Sequence, residues 1–195
     1  EKLIVASNAN DILTRFFKTG QMAISEVMPT LSPSMDIQVS SNFERLLFEH
    51  YGRDGTAVAK VMERFRREGL VSFGKGRWNA ISQLFEGHRL GDNAVKDAID
   101  KVYRETGELV DPHTVIGIVA GKHASASTNY TVISLATAHP AKFPDAIEAA
   151  TGIRPALPIP LQNLFQRKEK YSTLPNNFES VREFISAKLT NGIAA

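Results

Sequence analysis

Apolar and polar positions along the chain alternate between two rhythms. "KLIVA" (2–6) is a short apolar run of strand-forming residues, and "SNAND" (7–11) follows it with helix-capping types. Ile12, Leu13, Phe16 and Phe17 then recur at helical spacing up to Gly20, which makes a strand, loop, helix unit. A less regular stretch to residue 40 leads into a second helix, with Ser41 and Glu44 spaced as a capping box before Leu46, Leu47 and Phe48 and with Gly52 as its stop. Val58, Val61, Met62 and Phe65 mark a third helix ending at Gly69. A short strand follows at "LVSF" (70–73), then a glycine-bearing turn at "GKGRW" (74–78).

The cleanest helical period runs from Asp92 to Gly107, where Val95, Ala98, Ile99, Val102 and Tyr103 share one face. On the opposite face Asp97 and Lys101 are spaced as an i,i+4 ion pair. "DPHTVIGIVAGKHA" (111–124) starts a helix with Asp as cap and Pro in its first turn. "YTVISLAT" (130–137) has the continuous apolar character of a buried strand, and "FPDAIEAATG" (143–152) that of a helix stopped by glycine. The proline-punctuated "RPALPIPLQNLF" (154–165) is expected to wrap the surface, and a last helix carries Phe178, Val181, Phe184 and Ile185 behind an Asn176–Glu179 cap. Strands alternating with helices predict an α/β fold: three layers, a mainly parallel sheet flanked by helices, and a helical elaboration around 41–107.

Composition narrows the function classes. The 195 residues are 43% hydrophobic and 23% charged, ordinary for a globular chain. Lys and Arg (23) barely exceed Asp and Glu (21), so no strong polyanion-binding field exists and no nucleic-acid partner is expected. Lys60, Arg64, Arg66, Arg67, Lys75 and Arg77 cluster around an aromatic, yet Glu63 and Glu68 interrupt them as on any polar helix face. No cysteine is present, which removes thiolate chemistry and fits a reducing compartment. No apolar run nears the roughly 18 residues of a membrane span, and the opening residues have no signal-peptide pattern, so a cytoplasmic location is expected. The opening directly into "KLIVA" is the start expected of a piece of something longer.

Local motifs exclude more chemistry than they supply. There is no G-x-S-x-G elbow, and the five histidines show no H-x-x-x-H pair, so neither a nucleophile triad nor a metal site is expected. "GIVAGKH" (117–123) is one residue short of a phosphate loop and falls inside a helical pattern, where its glycines serve packing and Lys122 faces solvent. Two polar loops remain at predicted strand ends, "SNAND" and "TAHPAKF" (137–143), the place where ligands gather in parallel α/β sheets. Taken singly, Ser7, Asn8, Asn10 and Asp11 are better explained as helix-capping residues, and Thr137 could simply complete a strand. His139 and Lys142 could be a solvated helix start, although a cation there opposes the helix dipole.

Four stretches carry a resemblance: "VASNANDIL" (5–13), "SPSMDIQVSSNFERLLFE" (32–49), "DPHT" (111–114) and "LATAHPAKFPDAIEAATG" (135–152). Together, and in this order, they resemble the threonine synthases, fold-type II pyridoxal-phosphate enzymes of the tryptophan-synthase-β type. The resemblance implies pyridoxal 5'-phosphate as cofactor and O-phosphohomoserine as substrate. Threonine and phosphate would form by γ-elimination followed by β-hydration. It implies that Thr137 is the hydroxyl partner of the cofactor's pyridine nitrogen. It places Asn8, Asn10 and Asp11 as lining of the cleft, and Ser34, Asp36, Asn42 and Arg45 as possible substrate contacts, with His139 and Lys142 as neighbours.

No lysine stands in the family's Schiff-base context, and no glycine-rich phosphate loop is present. No catalytic residue is therefore assigned within these 195 residues, and Lys142 belongs to a different motif. The expectation is that residues 1–195 are the C-terminal part of the large cofactor-binding domain, with a mostly helical insertion at about 41–107. Its partner would be the N-terminal remainder of the enzyme, and the isolated chain would be inactive. A non-catalytic binding or scaffold domain of the same family is the alternative.

Overall fold

The structure, a computed structural model, describes residues 2–126 and 131–192. Strand β1 (Leu3–Ser7) pairs in parallel with a strand far along the chain, Phe85–Arg89, with Val5 opposite Gly87 and Ser7 opposite Arg89. A parallel pair needs a crossover, and helix α1 (Ile12–Thr19) begins it directly after the polar loop. Next come β2 (Gln21–Ala23), α2 (Phe43–His50), α3 (Gly55–Glu68), β3 (Leu70–Ser72) and α4 (Lys75–Leu84). The Phe85–Arg89 strand is thus β4, and β2 and β3 form a separate antiparallel ribbon. Helices α5 (Asp92–Thr106), α6 (Pro112–Ser125) and α7 (Pro144–Thr151) complete the first compact unit, which runs to Leu157.

Successive strand residues point to opposite faces, and β1 uses this to serve two cores. Val5 packs into a cluster of α1, α2, α3 and α4 that includes Ile12, Phe16, Leu47, Met62, Phe65 and Ile81. Ala6 packs into the other, where α5, α6 and α7 bring Val95, Ile99, Val115, Ile116 and Ile147 together. The parallel pair is therefore the middle of three layers. Phe16 anchors the first core, fully buried and edge-on to Phe17, Phe43 and Phe73 at centroid distances of 5.3, 5.0 and 5.2 Å. Each such aromatic pair adds about 0.5–1.5 kcal/mol beyond area burial.

The predicted helices α1, α3, α5 and α7 end at left-handed Gly20, Gly69, Gly107 and Gly152, as their spacing requires. Other expectations are corrected. The turn expected at 74–78 is the start of α4, because Trp78 buries against the first core and sends its indole N–H to the Phe17 carbonyl at 3.1 Å. The Ser41–Glu44 box does not form: Asn42 holds the cap position, and Glu44 reaches across to Arg66 at 2.6 Å. Lys101 pairs with Glu105 at 3.7 Å, one turn the other way from Asp97. Strands β2 and β4 were not legible in the pattern. β4, "FEGHR", holds two charges, a histidine and a glycine in five residues.

The largest correction concerns residues 131–136. Tyr130 lies outside the described residues. From Thr131 on, the chain joins no ladder among the described residues, and Ile133 and Leu135 are 82% and 73% exposed. An apolar sequence can mark a strand, but pairing needs a neighbouring edge. Here the segment lies on α6 instead: the Ser134 hydroxyl donates to the Gly117 carbonyl at 3.1 Å. Gly121 is the other small residue beneath it, since a Cβ there would stand 2.9 Å from Ser134 Oγ and 3.0 Å from Val132 Cγ1. Of the two glycines of "GIVAGKH", Gly121 serves packing while Gly117 has open space at its Cβ, and Lys122 pairs on the surface with Glu105 at 3.1 Å.

A second compact unit begins at Pro158. It holds two 3-10 turns, Ile159–Leu161 and Leu164–Gln166, and helix α8 (Phe178–Gly192). The α8 cap is one residue later than expected, with Asn177 Oδ1 accepting the Ser180 amide at 2.9 Å.

Gly87 shows how closely α1 lies on the parallel pair. A Cβ at this position would stand 2.5 Å from Thr14 Cα and 2.8 Å from its hydroxyl, and backbone cannot step aside cheaply. Gly87→Ala is expected to destabilise the fold by about 1–3 kcal/mol through overpacking. Gly117, in mid-helix with open space at its Cβ, is the contrast: Gly117→Ala should stabilise by about 0.5–1 kcal/mol. Denaturant midpoints measure both; equal effects of the same sign would contradict the close approach.

Candidate functional site

The end of β1 is closed by a polar knot rather than by helix caps. Asn8, fully buried, directs its amide Nδ2 to Asp36 Oδ1 at 2.8 Å, to Thr30 Oγ1 at 2.7 Å and to Ser32 Oγ at 2.9 Å. Asn10 Nδ2 meets the same Asp36 oxygen at 2.9 Å and the Met28 carbonyl at 2.8 Å. Asp36 also accepts from the Thr30 hydroxyl and amide, at 2.7 and 2.9 Å. One carboxylate thus gathers four donors and ties the 28–36 loop to the strand end. Asp11, at the α1 cap position, makes no side-chain cap. It pairs with Arg15 at 2.9 Å and faces Arg89 at 3.6 Å.

A second knot forms at the start of α6. Asp111 is fully buried at the N-cap, where its Oδ1 accepts the His113 amide and the His113 Nδ1 proton, both at 2.9 Å. Its Oδ2 accepts the Thr114 hydroxyl. Thr114 Oγ1 in turn accepts the Thr137 amide at 3.0 Å, and His113 Nε2 accepts the Ser34 amide at 3.3 Å. The Phe143 ring lies against His113, with centroids 4.6 Å apart. Two loops distant in sequence, around Ser34 and around Thr137, are therefore fastened to adjacent residues of one helix.

Between β1 and the Ser34 loop lies a cavity of about 120 Å³, lined among others by Ser7, Asn10, Leu13, Ser34 and Met35. The Thr137 side chain is exposed, and its hydroxyl has no partner among the described residues. His139 accepts the Ala141 amide at 3.1 Å and so caps the 3-10 turn Pro140–Lys142, while Lys142 Nζ stands 5.8 Å from the Phe143 ring. Asn42 and Arg45 lie elsewhere, exposed at the start of α2, with Arg45 beside Ser41 and Glu49 along a shallow groove. On β4, burial first and then the charges of His123 and Lys18 hold the His88 pKa below its ordinary value, against the opposing pull of Glu86.

Thr30, Ser32, His113 and Thr114 were missed as site residues. The available signal was the Asp-x-His-Thr spacing at a helix start, which reads as a cap until the loops it receives are known.

The sequence family described as "Threonine synthase, C-terminal" matches residues 114–185. A threonine synthase of Pseudomonas aeruginosa is 46% identical over 95% of this chain, which covers 40% of that protein. The chain is similar, over nearly its whole length, to the C-terminal part of the threonine synthases. The solved structure of a pyridoxal-phosphate-bound threonine synthase from Brucella melitensis superposes with a TM-score of 0.84 at 43% identity, covering 95% of this chain and 40% of that one. The yeast threonine synthase gives 0.82 at 34% identity over 98% of this chain and 42% of that one. The chain spans about 40% of the length of the curated relatives it matches and corresponds to their C-terminal part.

Within the threonine synthase frame, the four stretches that carried the resemblance become one neighbourhood. "VASNANDIL" supplies the first knot, "DPHT" the second, and "SPSMD" and "LATAHP" the loops tied to them.

Asp36 makes the first knot testable. Asp36→Ala leaves Asn8, Asn10 and Thr30 without their shared acceptor and should cost about 1.5–3 kcal/mol, the range for hydrogen bonds to a charged group. Denaturation gives the loss, and amide exchange at Thr30 should speed up. Parental stability with Thr30 still protected would rule this account out.

Proposed function

We propose that this chain is the C-terminal wall of a pyridoxal-phosphate-dependent threonine synthase. The enzyme would convert O-phosphohomoserine and water to threonine and phosphate. Residues 1–195 would belong to its large cofactor-binding domain, with the helices of about 41–107 as an elaboration. The cofactor, when bound, supplies the electron sink for the elimination. The observation that supports the reading is Thr137: its backbone is held by Thr114 at 3.0 Å, while its exposed hydroxyl has no partner among the described residues. A hydroxyl can donate to a neutral pyridine nitrogen or accept from a protonated one, so it orients the ring without enforcing its charge. That donor chemistry fits the cofactor.

The other residues of this chain orient and enclose. Ser34, held through His113, and Asn10, held through Asp36, border the cavity at the β1 end, where a substrate would meet the cofactor. Asn8, Asp11 and Asp36 shape that wall from behind. Asn42 and Arg45 stand on the α2 face, where Arg45 offers a cation for an anionic substrate group. His139 and Lys142 belong to the 3-10 turn that follows Thr137. The lysine that holds the cofactor and the glycine-rich loop for its phosphate would come from the N-terminal part of the enzyme. A cytoplasmic location belongs to the same reading; no helix among the described residues is long and apolar enough to cross a membrane.

In the complete enzyme, Thr137→Val should weaken cofactor binding or turnover about 2- to 13-fold, the equivalent of one neutral hydrogen bond of about 0.5–1.5 kcal/mol. Cofactor titration and steady-state rates measure this, and unchanged values for both would count against the assignment. The 195-residue chain incubated with pyridoxal phosphate and borohydride should give no single stoichiometric lysine adduct by mass spectrometry. One such adduct would show that the reactive lysine lies here after all.

A further inference from the structure

We propose that Asp111 is a positioning residue for the reaction, setting the cofactor-side loop through Thr114 and the Ser34 loop through His113. The proposal rests on Thr137 as the cofactor's partner, the reading given above, and asks what places it.

The chemistry follows from hydrogen counting. A buried carboxylate has only acceptors, and Asp111 uses them on two side-chain protons: the one on His113 Nδ1 and the one on Thr114 Oγ1. With its proton turned to Asp111, the Thr114 hydroxyl has lone pairs for an outside donor, and the Thr137 amide takes that place at 3.0 Å. With its proton on Nδ1, His113 presents Nε2 as an acceptor, and the Ser34 amide takes that place at 3.3 Å. If either proton turned outward, a donor would face a donor and the loop would be released. Asp111 therefore dictates the hydroxyl rotor and the imidazole tautomer, and through them the two loops.

The helix start does not require this arrangement. Asp111 already satisfies the cap through the His113 and Thr114 amides. Asn would cap as well, since the two types rank alike at this position. An asparagine, however, replaces one acceptor by a donor, so it cannot receive both side-chain protons. The second function of the carboxylate can thus be separated from the first.

The test uses the full-length enzyme with pyridoxal phosphate. Asp111→Asn and Thr114→Val are compared with Thr137→Val and with the double variant Thr114→Val/Thr137→Val; melting temperatures report folding. The expected result is a cofactor dissociation constant raised about 2- to 13-fold in each single variant, the worth of one hydrogen bond, with a shift in the pH dependence of the bound cofactor's visible absorption. Thr114→Ser, which keeps the hydroxyl, should behave as the parent. The double variant should be no worse than Thr137→Val alone, because Thr114 acts through Thr137.

A folded Asp111→Asn or Thr114→Val enzyme with parental affinity and parental spectrum, while Thr137→Val is impaired, would overturn the proposal. So would additive losses in the double variant. If Thr137→Val itself leaves cofactor affinity and spectrum unchanged, the failure lies in the reading of Thr137. Should Thr114→Val not fold, Asp111→Asn alone decides, since its one amide oxygen still accepts a cap amide.

Discussion

A carboxylate taken out of water must find donors, and Asp111 is fully buried. Much of the site geometry depends on how that requirement is met. The N-terminal end of α6 supplies two backbone amides and a favourable dipole. The His113 ring and the Thr114 hydroxyl supply the rest, and in doing so both become acceptors aimed outward. The Ser34 and Thr137 loops are held by what remains after Asp111 is satisfied. Asp36 repeats the logic at the end of β1, where one carboxylate gathers the amides of Asn8 and Asn10 and both donors of Thr30.

These polar knots work because the elements beneath them cannot shift. β1 delivers Val5 to one core and Ala6 to the other, so a displacement of the strand would disturb both. On the α1 face, Gly87 allows helix and strand backbones to approach within contact of Thr14, and the Ser7 hydroxyl meets the Thr14 hydroxyl at 2.8 Å. On the α6 face, the Gly117 carbonyl and the bare Cα of Gly121 receive the segment that leads into Thr137. Apolar packing sets the distances between layers, and the buried carboxylates set which loops lie over them.

The same division governs what could be read from the chain. Helices with a long apolar period and a glycine stop, such as α5 and α7, were legible because those signals are local. β4 was not: its five residues form a strand only because β1 offers an edge. The segment 131–136 failed in the opposite sense, having strand composition without an edge to join among the described residues. For the site, the polar loops at 7–11 and 137–143 were identified by position, and "DPHT" by its cap. Asn8 and Asn10 illustrate the limit. Their sequence context fits a helix cap, whereas their amides turn to Asp36, 28 and 26 residues away.

The sequence by itself determined the α/β class, the helices that end in glycine, and the stretches that mark a threonine synthase, since each rests on neighbours in the chain. Only the tertiary structure decided that Asp111 serves two loops, that Asp36 closes the end of β1, and that Thr114 fixes the Thr137 backbone. Hydrogen bonds to a buried charge are allotted by proximity in space, and the donors that answer Asp36 and the loops behind Asp111 come from widely separated parts of the chain.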